Sequence, residues 1–327
     1  MAIKSSGNPN PPLAFSEIET EFGSNGTRSL GSYRLSQNVG SLSNLPLDSG
    51  IPTSGTIKFS DFYSKRLNVV VDCFSGGEET RKIAKNDKWN NNQLTVIGGF
   101  RSQKEGGSKI IINVNKKFCS NKDATSRCAL RTGSWDSTAV VQVDVGSSGK
   151  ILGSGGNGGR GQNGVDGSAQ GGFTGTSGLG IEVNNCTVNV ASGGIIRAGF
   201  GGGGGGGGGR EVDKGEDRRA SGGGGGGGAG CPPGNGGPGG TTGAGGQSGD
   251  AGSETAGGSG GGGGNNDGEA GGQTGGSGGQ AQGGPGGAQG GAGQNGAAIR
   301  RTSGFTVNID SASLSRCQGD TNATGTS

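Results

Sequence analysis

Nine consecutive glycines occupy positions 201–209, GGGGGGGGG, and seven more occupy positions 222–228. The charged insertion REVDKGEDRRAS, residues 210–221, separates the two runs. The chain has 327 residues and 85 glycines, and 69 of these glycines fall between residues 146 and 304. Because glycine has no side chain to bury, this part of the chain follows different physical rules from an ordinary globular core.

Three structures compete for such a sequence. Collagen is excluded, because no Gly-X-Y period is sustained and the chain has only 9 prolines. A flexible linker agrees with the composition, since glycine loses the most entropy on ordering. The third structure is a bundle of left-handed extended helices with three residues per turn, the polyglycine II conformation. In such a bundle each backbone N–H and C=O group bonds to a neighbouring helix.

Two glycine patterns favour the bundle. An interior helix needs glycine on every side, whereas a surface helix needs it only on its inward side and tolerates one other residue per turn. The runs 201–209 and 222–228 have the first pattern, and GGx units such as GGPGGA at 283–288 have the second. We therefore predict a fold that is mainly β and irregular. It consists of a small β-rich domain followed by a bundle of polyglycine II-like left-handed extended helices capped by short strands.

Composition divides the chain into four predicted regions. Residues 1–66 form an N-terminal leader, and residues 67–145 form the β-rich domain, because they carry β-branched runs of strand length. Residues 146–304 form the glycine-rich bundle with loop insertions. Residues 305–327 form a closing strand and tail.

Local patterns predict individual elements. The sequence SEIE at 16–19 fits a capping box for a helix that ends at Phe22, and Ser60 is the predicted N-cap of a second short helix. Strands are predicted over six stretches, namely 67–73, 94–97, 109–114, 139–145, 180–190 and 305–309.

The six cysteines predict neither a zinc site nor a definite disulfide framework. No CxxC pair occurs and histidine is absent, so the usual zinc ligand sets cannot form. The N-terminal sequence MAIKSSG has no apolar core of a secretory signal, and synthesis in a reducing cytoplasm favours free buried thiols. The alternative is a bridge between the closest pair, Cys119 and Cys128, if the protein works outside the cell.

Charge and hydropathy exclude several function classes. The net charge of +3 gives no global field for nucleic acid, and no apolar run is long enough for a membrane-spanning helix. Matches to GxGxxG arise by chance among so many glycines, and none has the strand–turn–helix setting of a nucleotide site. The turn NNDGE at 265–269 lacks the full spacing of a calcium loop. No apolar pocket is visible that would raise a carboxyl pKa, so we expect no enzyme, no cofactor and no metal.

Residues 139–304 resemble the glycine-rich domain of bacteriophage tail-tip and tail-fibre adhesins, including the distal adhesin of T-even-type long tail fibres. Three features in order carry the resemblance. GSGGNGGRG at 153–161 follows a strand, ASGGIIRAG at 191–199 leads into the nine glycines, and the later GGx units close on GAAI at 296–299.

The resemblance implies a virion protein of the phage tail, assembled in the host cytoplasm, whose loops touch a host surface receptor. That receptor would be a glycan or an outer-membrane protein, and the N-terminal part would bind other tail or baseplate proteins, with a homo-oligomer also open. A purely structural tail or baseplate component is the alternative. The candidate receptor contacts lie in the insertions between glycine runs and are Arg210, Glu211, Asp213, Lys214, Glu216, Asp217, Arg218, Arg219, Thr241, Thr242, Asp250, Glu254, Asn265, Asn266 and Asp267.

Overall fold

The chain is mainly β in a computed structural model. The two α-helices among the described residues are short, α1 (Phe15–Phe22) and α2 (Ser311–Leu314), and Phe59–Phe62 form a 3-10 helix. The structure describes residues 3–7, 9–22, 29–31, 37–39, 42–45, 51–52, 54–65, 68–72, 80–82, 95–96, 109–120, 127–133, 140–164, 166–213, 216–264 and 288–325.

The strands of the described residues are numbered in chain order. They are β1 (Gln37–Val39), β2 (Leu42–Leu45), β3 (Asn68–Asp72), β4 (Thr80–Lys82), β5 (Thr95–Val96), β6 (Lys109–Val114), β7 (Lys117–Cys119), β8 (Cys128–Arg131), β9 (Val140–Val145), β10 (Lys150–Leu152), β11 (Ser177–Ile181), β12 (Cys186–Val190), β13 (Ile195–Arg197), β14 (Gly209–Asp213), β15 (Glu216–Ala220), β16 (Ile299–Arg301), β17 (Val307–Ile309), β18 (Cys317–Gln318) and β19 (Ala323–Thr324).

Three sheets organise most of these strands. The first sheet has the order β5–β3–β6–β9–β12–β17, the second β4–β7–β10–β13–β18, and the third β8–β11–β16–β19. Neighbouring strands are parallel, except that β5 runs antiparallel to β3. From β6 onward the chain passes from the first sheet to the second, then to the third, and back to the first. This is the path of a three-sided parallel β-helix.

Apolar side chains stacked in register form the core of this β-helix. Each of the nine central ones is at most 1 % exposed, and all belong to one cluster of buried side chains. Burying such a side chain contributes about 1.5–3 kcal/mol. The three ladders are Ile112, Val143 and Val188 in the first sheet, Phe118, Ile151 and Ile196 in the second, and Leu130, Leu179 and Ile299 in the third.

The glycine-rich sequence is inserted at one corner of the β-helix, between its second and third sheets. One insertion, residues 153–176, connects β10 to β11, and the other, residues 198–298, connects β13 to β16. Strands from three of the four predicted regions therefore lie side by side in the same sheets. The boundaries near residues 66, 145 and 304 therefore stay predictions as domain boundaries.

Within the described residues, the two insertions form eight glycine-rich segments. Odd-numbered segments lead away from the sheets and even-numbered segments return, so the segments have a near end at the sheets and a far end opposite. The segments are segment 1 (153–163), segment 2 (168–176), segment 3 (198–208), segment 4 (221–230), segment 5 (232–242), segment 6 (244–253), segment 7 (257–264) and segment 8 (288–298).

Backbone hydrogen bonds join these segments sideways at every third residue. Between segments 1 and 3, the N–H groups of Gly156 and Gly159 donate to the carbonyls of Phe200 and Gly203 over 2.8 and 2.9 Å. The same three-residue step recurs between segments 3 and 4, segments 4 and 6, and segments 5 and 6. Backbone groups that would otherwise be buried without partners are satisfied in this way.

Burial separates interior from surface segments. Every residue of 201–208 and of 221–230 is buried, so segments 3 and 4 lie inside. In segment 5 the buried residues are every third one, Gly234, Gly237 and Gly240, and the residues between them are exposed or half-buried. An added Cβ would meet a neighbouring backbone at nearly all inward glycines, so only glycine fits there.

The N-terminal residues pack into the same structure. The N–H of Ile3 donates to the carbonyl of Lys65 over 2.8 Å, which ties the two ends of this region together. Ile18 of α1 and Phe62 are fully buried, and they belong to the same apolar cluster as the β-helix core. This region therefore shares its core with the sheets that follow it.

Both predicted short helices exist, but the serine caps predicted at 16 and 60 are wrong. Glu17 Oε2 accepts the N–H of Ala14, and Asp61 Oδ2 accepts the N–H of Lys58, over 2.8 and 2.7 Å. Each helix thus begins two residues earlier than predicted. A carboxylate three residues downstream satisfies the first exposed N–H, which is the reciprocal half of a capping box.

The predicted strand over 180–190 is two strands, β11 and β12. Asn185 lies between them with a φ of 55°, and the N–H of Asn185 bonds to the side-chain oxygen of Asn184 over 3.0 Å. Asparagine tolerates this left-handed conformation because its short polar side chain bonds locally. The turn sends the chain from the third sheet back to the first.

The cysteine expectations are wrong for one pair. Cys119, the last residue of β7, forms a disulfide with Cys231, which lies 112 residues later in the near-end loop between segments 4 and 5. The alternative bridge from Cys119 to Cys128 is therefore also wrong. Cys128, Cys186 and Cys317 are free thiols, as predicted. The spacing of the cysteines in the sequence could not reveal this pair, because only the folded segments bring Cys119 and Cys231 together.

Candidate functional site

The far end carries an antiparallel hairpin of charged sequence. Strands β14 and β15 connect the two interior segments 3 and 4, so this far-end hairpin, residues 209–220, projects from the middle of the glycine-rich layers. Its register places Arg210 opposite Arg219 and Glu211 opposite Arg218. Lys214, at the tip in sequence, lies outside the described residues.

Three hydrogen bonds from two polar side chains, Gln162 and Ser221, hold the base of the hairpin. Gln162 Oε1 accepts the N–H of Gly208 over 3.0 Å. Ser221 Oγ accepts the N–H of Gly164 over 3.0 Å and donates to the carbonyl of Thr242 over 2.7 Å. The hairpin is therefore anchored to segments 1 and 5 by buried and half-buried hydrogen bonds rather than by an apolar core.

Two turns flank the hairpin at this end. Arg219 pairs with Asp166 over 3.1 Å, and the Asp166 side chain is 67 % exposed. The N–H of the exposed Thr241 donates to Asn163 Oδ1 over 2.9 Å. An exposed ion pair of this kind contributes about 0.2–1 kcal/mol, so both groups can exchange partners at little cost.

Other candidate contacts lie elsewhere. Asp250 is exposed on segment 6, where its N–H bonds to the carbonyl of Ser259 over 2.8 Å. The predicted contacts Asn265, Asn266 and Asp267 lie outside the described residues. Gly264, which precedes them, donates to the carbonyl of Ser221 over 2.8 Å, so segment 7 ends at the far end.

Glu254 lies at the near end, against the second sheet. Its carboxylate bonds to Lys117 Nζ over 2.9 Å and lies 3.6 Å from Lys150 Nζ and 3.8 Å from the Arg197 guanidinium. Burial by itself raises the pKa of the Glu254 carboxyl. The hydrogen bond from Lys117 and the charges of the three cations outweigh this effect, so the pKa of Glu254 is lowered from 4.5. The predicted loops therefore emerge at both ends of the segments.

We expect Glu254→Gln to lower the free energy of unfolding at pH 7 by about 1 kcal/mol, the upper range for a partly exposed ion pair. A lowered pKa means that the carboxylate stabilises the fold above the unfolded pKa of 4.5, and that this contribution is lost as the pH falls through the lower folded value. Denaturant unfolding at pH 7 and at pH 3 measures the difference, which should shrink at pH 3. A variant as stable as wild type at pH 7, with weaker adsorption to cells, would contradict this structural role and favour a receptor contact.

Sequence reasoning missed the residues that hold the hairpin base. Gln162 and Asn163 were not among the candidates, although each is a polar residue at the end of a glycine run. That position is a usable signal, because a segment that leaves the hydrogen-bonded layers needs side chains to satisfy its last backbone groups.

The described residues contain no metal centre or membrane span. No group of three or more His, Cys, Asp or Glu side chains in this part of the chain could hold a metal ion. No helix found there is long and apolar enough to cross a bilayer.

Comparisons with known proteins give one distant likeness. No protein-family model and no curated protein matches the sequence. The fold is similar to a chain in the crystal structure of the gp37-gp38 adhesin tip complex of the bacteriophage S16 long tail fiber, with 19 % identity and a TM-score of 0.39. The match covers 95 % of this chain and 98 % of that chain. A likeness of this size does not define a family for the protein.

Proposed function

We propose that this protein is a bacteriophage tail-fibre or tail-tip adhesin that recognises a host surface receptor through the far-end hairpin and its flanking turns. The observation that carries the proposal is the far-end hairpin itself. The backbone of the hairpin places seven described charged residues, among them Arg210, Arg218 and Arg219, at the end of the glycine-rich layers most distant from the sheets. Charged and polar groups on loops above a rigid scaffold are typical of recognition.

We propose that the glycine-rich segments are polyglycine II-type helices that act as this scaffold. The three-residue hydrogen-bond step and the buried all-glycine segments support that geometry. Because the segments have no side chains between them, their backbones lie close together and are joined by lateral hydrogen bonds. The sequence of the loops can therefore vary without repacking an apolar core.

The proposal assigns the sheets and the N-terminal residues to attachment. In it, they dock to other tail or baseplate proteins of the virion, and the far end points toward the cell. The assigned activity is binding, with no reaction, cofactor or nucleic acid. The second candidate function is a purely structural tail component, and the lateral hydrogen bonding of eight segments favours it, because such a body makes a stiff spacer.

The test is a triple variant, Arg210→Ala, Arg218→Ala and Arg219→Ala. We expect binding of the purified protein to host cells to fall at least about tenfold, which corresponds to the loss of about 1.4 kcal/mol. The melting temperature should stay close to that of the wild type, because the Arg219–Asp166 ion pair, whose carboxylate is exposed, contributes only about 0.2–1 kcal/mol.

The matched control removes the same charge far from the hairpin, by Lys4→Ala, Lys58→Ala and Lys116→Ala. This control should bind cells as wild type does, since three positive charges are lost in both proteins but only one set lies at the far end. If the hairpin variant binds cells as well as this control, the purely structural function replaces the adhesin.

A further inference from the structure

One lateral surface of the glycine-rich layers presents side chains in regular rows. Segment 1 lies between segments 2 and 5. Gln170 donates its N–H to the carbonyl of Arg160 over 2.9 Å, and Gly161 donates to the carbonyl of Pro238 over 3.0 Å. The three segments thus form one outer layer over segments 3 and 4. We call the exposed side of this layer the lateral face; its side chains are Asn157, Arg160, Gln170, Phe173, Asn235 and Pro238.

Segments 1 and 5 are matched residue by residue. Asn157 Oδ1 accepts the N–H of Asn235 over 2.9 Å. Pro232 lies one turn before Asn235 on segment 5. Asn163 Oδ1 accepts the N–H of Thr241 in the same way. Between these two amides stands Arg160, whose side chain has no acceptor.

Pro238 is the residue of segment 5 that faces Arg160. Proline has no N–H, so no backbone donor is left without a partner at this point. The exchange of asparagine for arginine on segment 1 is therefore compensated by proline on segment 5. Arg160 therefore places a positive charge in the middle of the row, and no backbone N–H loses a hydrogen-bond partner.

The guanidinium of Arg160 is available for a ligand. Arg160 is exposed, and none of its side-chain nitrogens bonds to another group within the described residues. Asp166, the nearby carboxylate on the chain, is paired with Arg219 at the far end. The lateral face therefore carries a positive charge that the described part of the protein does not neutralise.

An exposed aromatic residue lies one turn along the row from this charge. Phe173 is 49 % exposed, and its N–H bonds to the carbonyl of Asn157, one turn before Arg160 on segment 1. Three residues of an extended helix span about 9 Å, so Phe173 and Arg160 are separated by about that distance along the row. On the same three segments, the side chain of Asn157 is half-buried and those of Gln170 and Asn235 are exposed.

We propose that the lateral face binds an anionic saccharide of the host surface. The Arg160 guanidinium would pair with a phosphate or carboxylate of the saccharide through two parallel hydrogen bonds. The ring of Phe173 covers the apolar side of a neighbouring sugar, and the exposed amides of Gln170 and Asn235 bond to hydroxyl groups. One cation among amides and an aromatic ring differs from the clustered lysines and arginines of a nucleic-acid site. The proposal rests on the proposed adhesin function but uses a surface separate from the far-end hairpin.

Titration calorimetry of the full chain with defined oligosaccharides tests this site. The probes are a phosphorylated core oligosaccharide of lipopolysaccharide, the same oligosaccharide after removal of its phosphates, and a uronic-acid capsule oligosaccharide. We expect binding of at least one anionic probe, and weaker binding of the dephosphorylated one if phosphate is the group recognised. Arg160→Gln should weaken binding of the anionic probe about tenfold. Phe173→Ala should weaken the binding of every saccharide that the wild type binds.

Two controls show whether a loss of binding is specific to the lateral face. Lys58→Ala removes an exposed charge elsewhere and should leave binding unchanged, and both lateral-face variants should melt at the wild-type temperature. The triple hairpin variant should bind the oligosaccharide as wild type does even where it no longer binds cells. Three outcomes would each overturn the proposal: no binding of any probe, unchanged binding by Arg160→Gln, or an equal loss of binding in the triple hairpin variant. The last outcome would show that the saccharide binds at the far-end hairpin and not at the lateral face.

Discussion

Gly205→Ala is expected to destabilise the protein severely. Gly205 lies in interior segment 3, its N–H donates to the carbonyl of Gln170 over 2.9 Å, and its carbonyl accepts the N–H of Gly290 over 2.9 Å. An added Cβ would lie 2.0 Å from the carbonyl oxygen of Arg160, far inside any normal contact. Overpacking costs about 1–3 kcal/mol, and each buried backbone group left without a partner adds about 1–3 kcal/mol.

Gly291→Ala is the matched control for this substitution. Gly291 is exposed on segment 8, and nothing lies within 4 Å of an added Cβ there. The new methyl group restricts only the unfolded chain, so this variant should be neutral or more stable by about 0.4–1 kcal/mol. Thermal unfolding of both variants measures the contrast.

Amide hydrogen exchange over residues 201–208 provides a second measurement of the same prediction. These amides should be strongly protected in the wild type, because they are buried and laterally bonded. Exchange at free-peptide rates, together with an unharmed Gly205→Ala variant, would show that segment 3 is a flexible linker and that the assigned packing is wrong.

Removal of the Cys119–Cys231 disulfide is expected to have the second largest effect. The bridge closes a loop of sequence separation 112 between the end of β7 and the near-end loop of the glycine-rich segments. Cross-links over loops of about this length restrict the unfolded chain strongly, and loss of a native disulfide typically costs about 2–5 kcal/mol. The double variant Cys119→Ser and Cys231→Ser should therefore melt well below the wild type.

A reducing agent provides the control within the same experiment. It should lower the melting temperature of the wild type toward that of the double variant and leave the variant unchanged. Cys128 and Cys186 do not affect this measurement, because burial raises the pKa of both thiols to about 12 and keeps them unreactive. Cys317→Ser, at a free half-buried thiol, should keep the full response to the reductant. A double variant as stable as the oxidised wild type would show that the bridge carries no stability.

The local elements were largely predictable from sequence. The run KIIINV at 109–114 is β6 to the residue, and the alternation in 139–145 predicted the half-buried β9. Both patterns are local, because a continuous β-branched run and a two-residue alternation of apolar residues are each typical of a strand. The predicted caps of the two short helices were wrong, and the turn at Asn185 was not predicted. In both cases several polar residues within a few positions could have taken the same role.

The candidate site was predictable only in part. The charge of residues 210–219 marked them as a surface insertion, and they form the far-end hairpin. Glu254 looked equally suitable in sequence, yet it lies at the near end among Lys117, Lys150 and Arg197. The difference arises because an insertion at the end of an outgoing segment and one at the end of a returning segment have the same local sequence character.

The sequence by itself determined where the chain must be free of side chains. Unbroken glycine in 201–209 and 222–228 and glycine at every third position in segment 5 follow directly from the rule that a Cβ has no space between touching backbones. Only the tertiary structure decided that strands far apart in sequence stack into a β-helix with the glycine-rich segments inserted at one corner, that Cys119 meets Cys231, and that the loops divide between two ends. These features depend on which parts of the chain become neighbours, and neighbours distant in sequence leave no signal in the local pattern of either one.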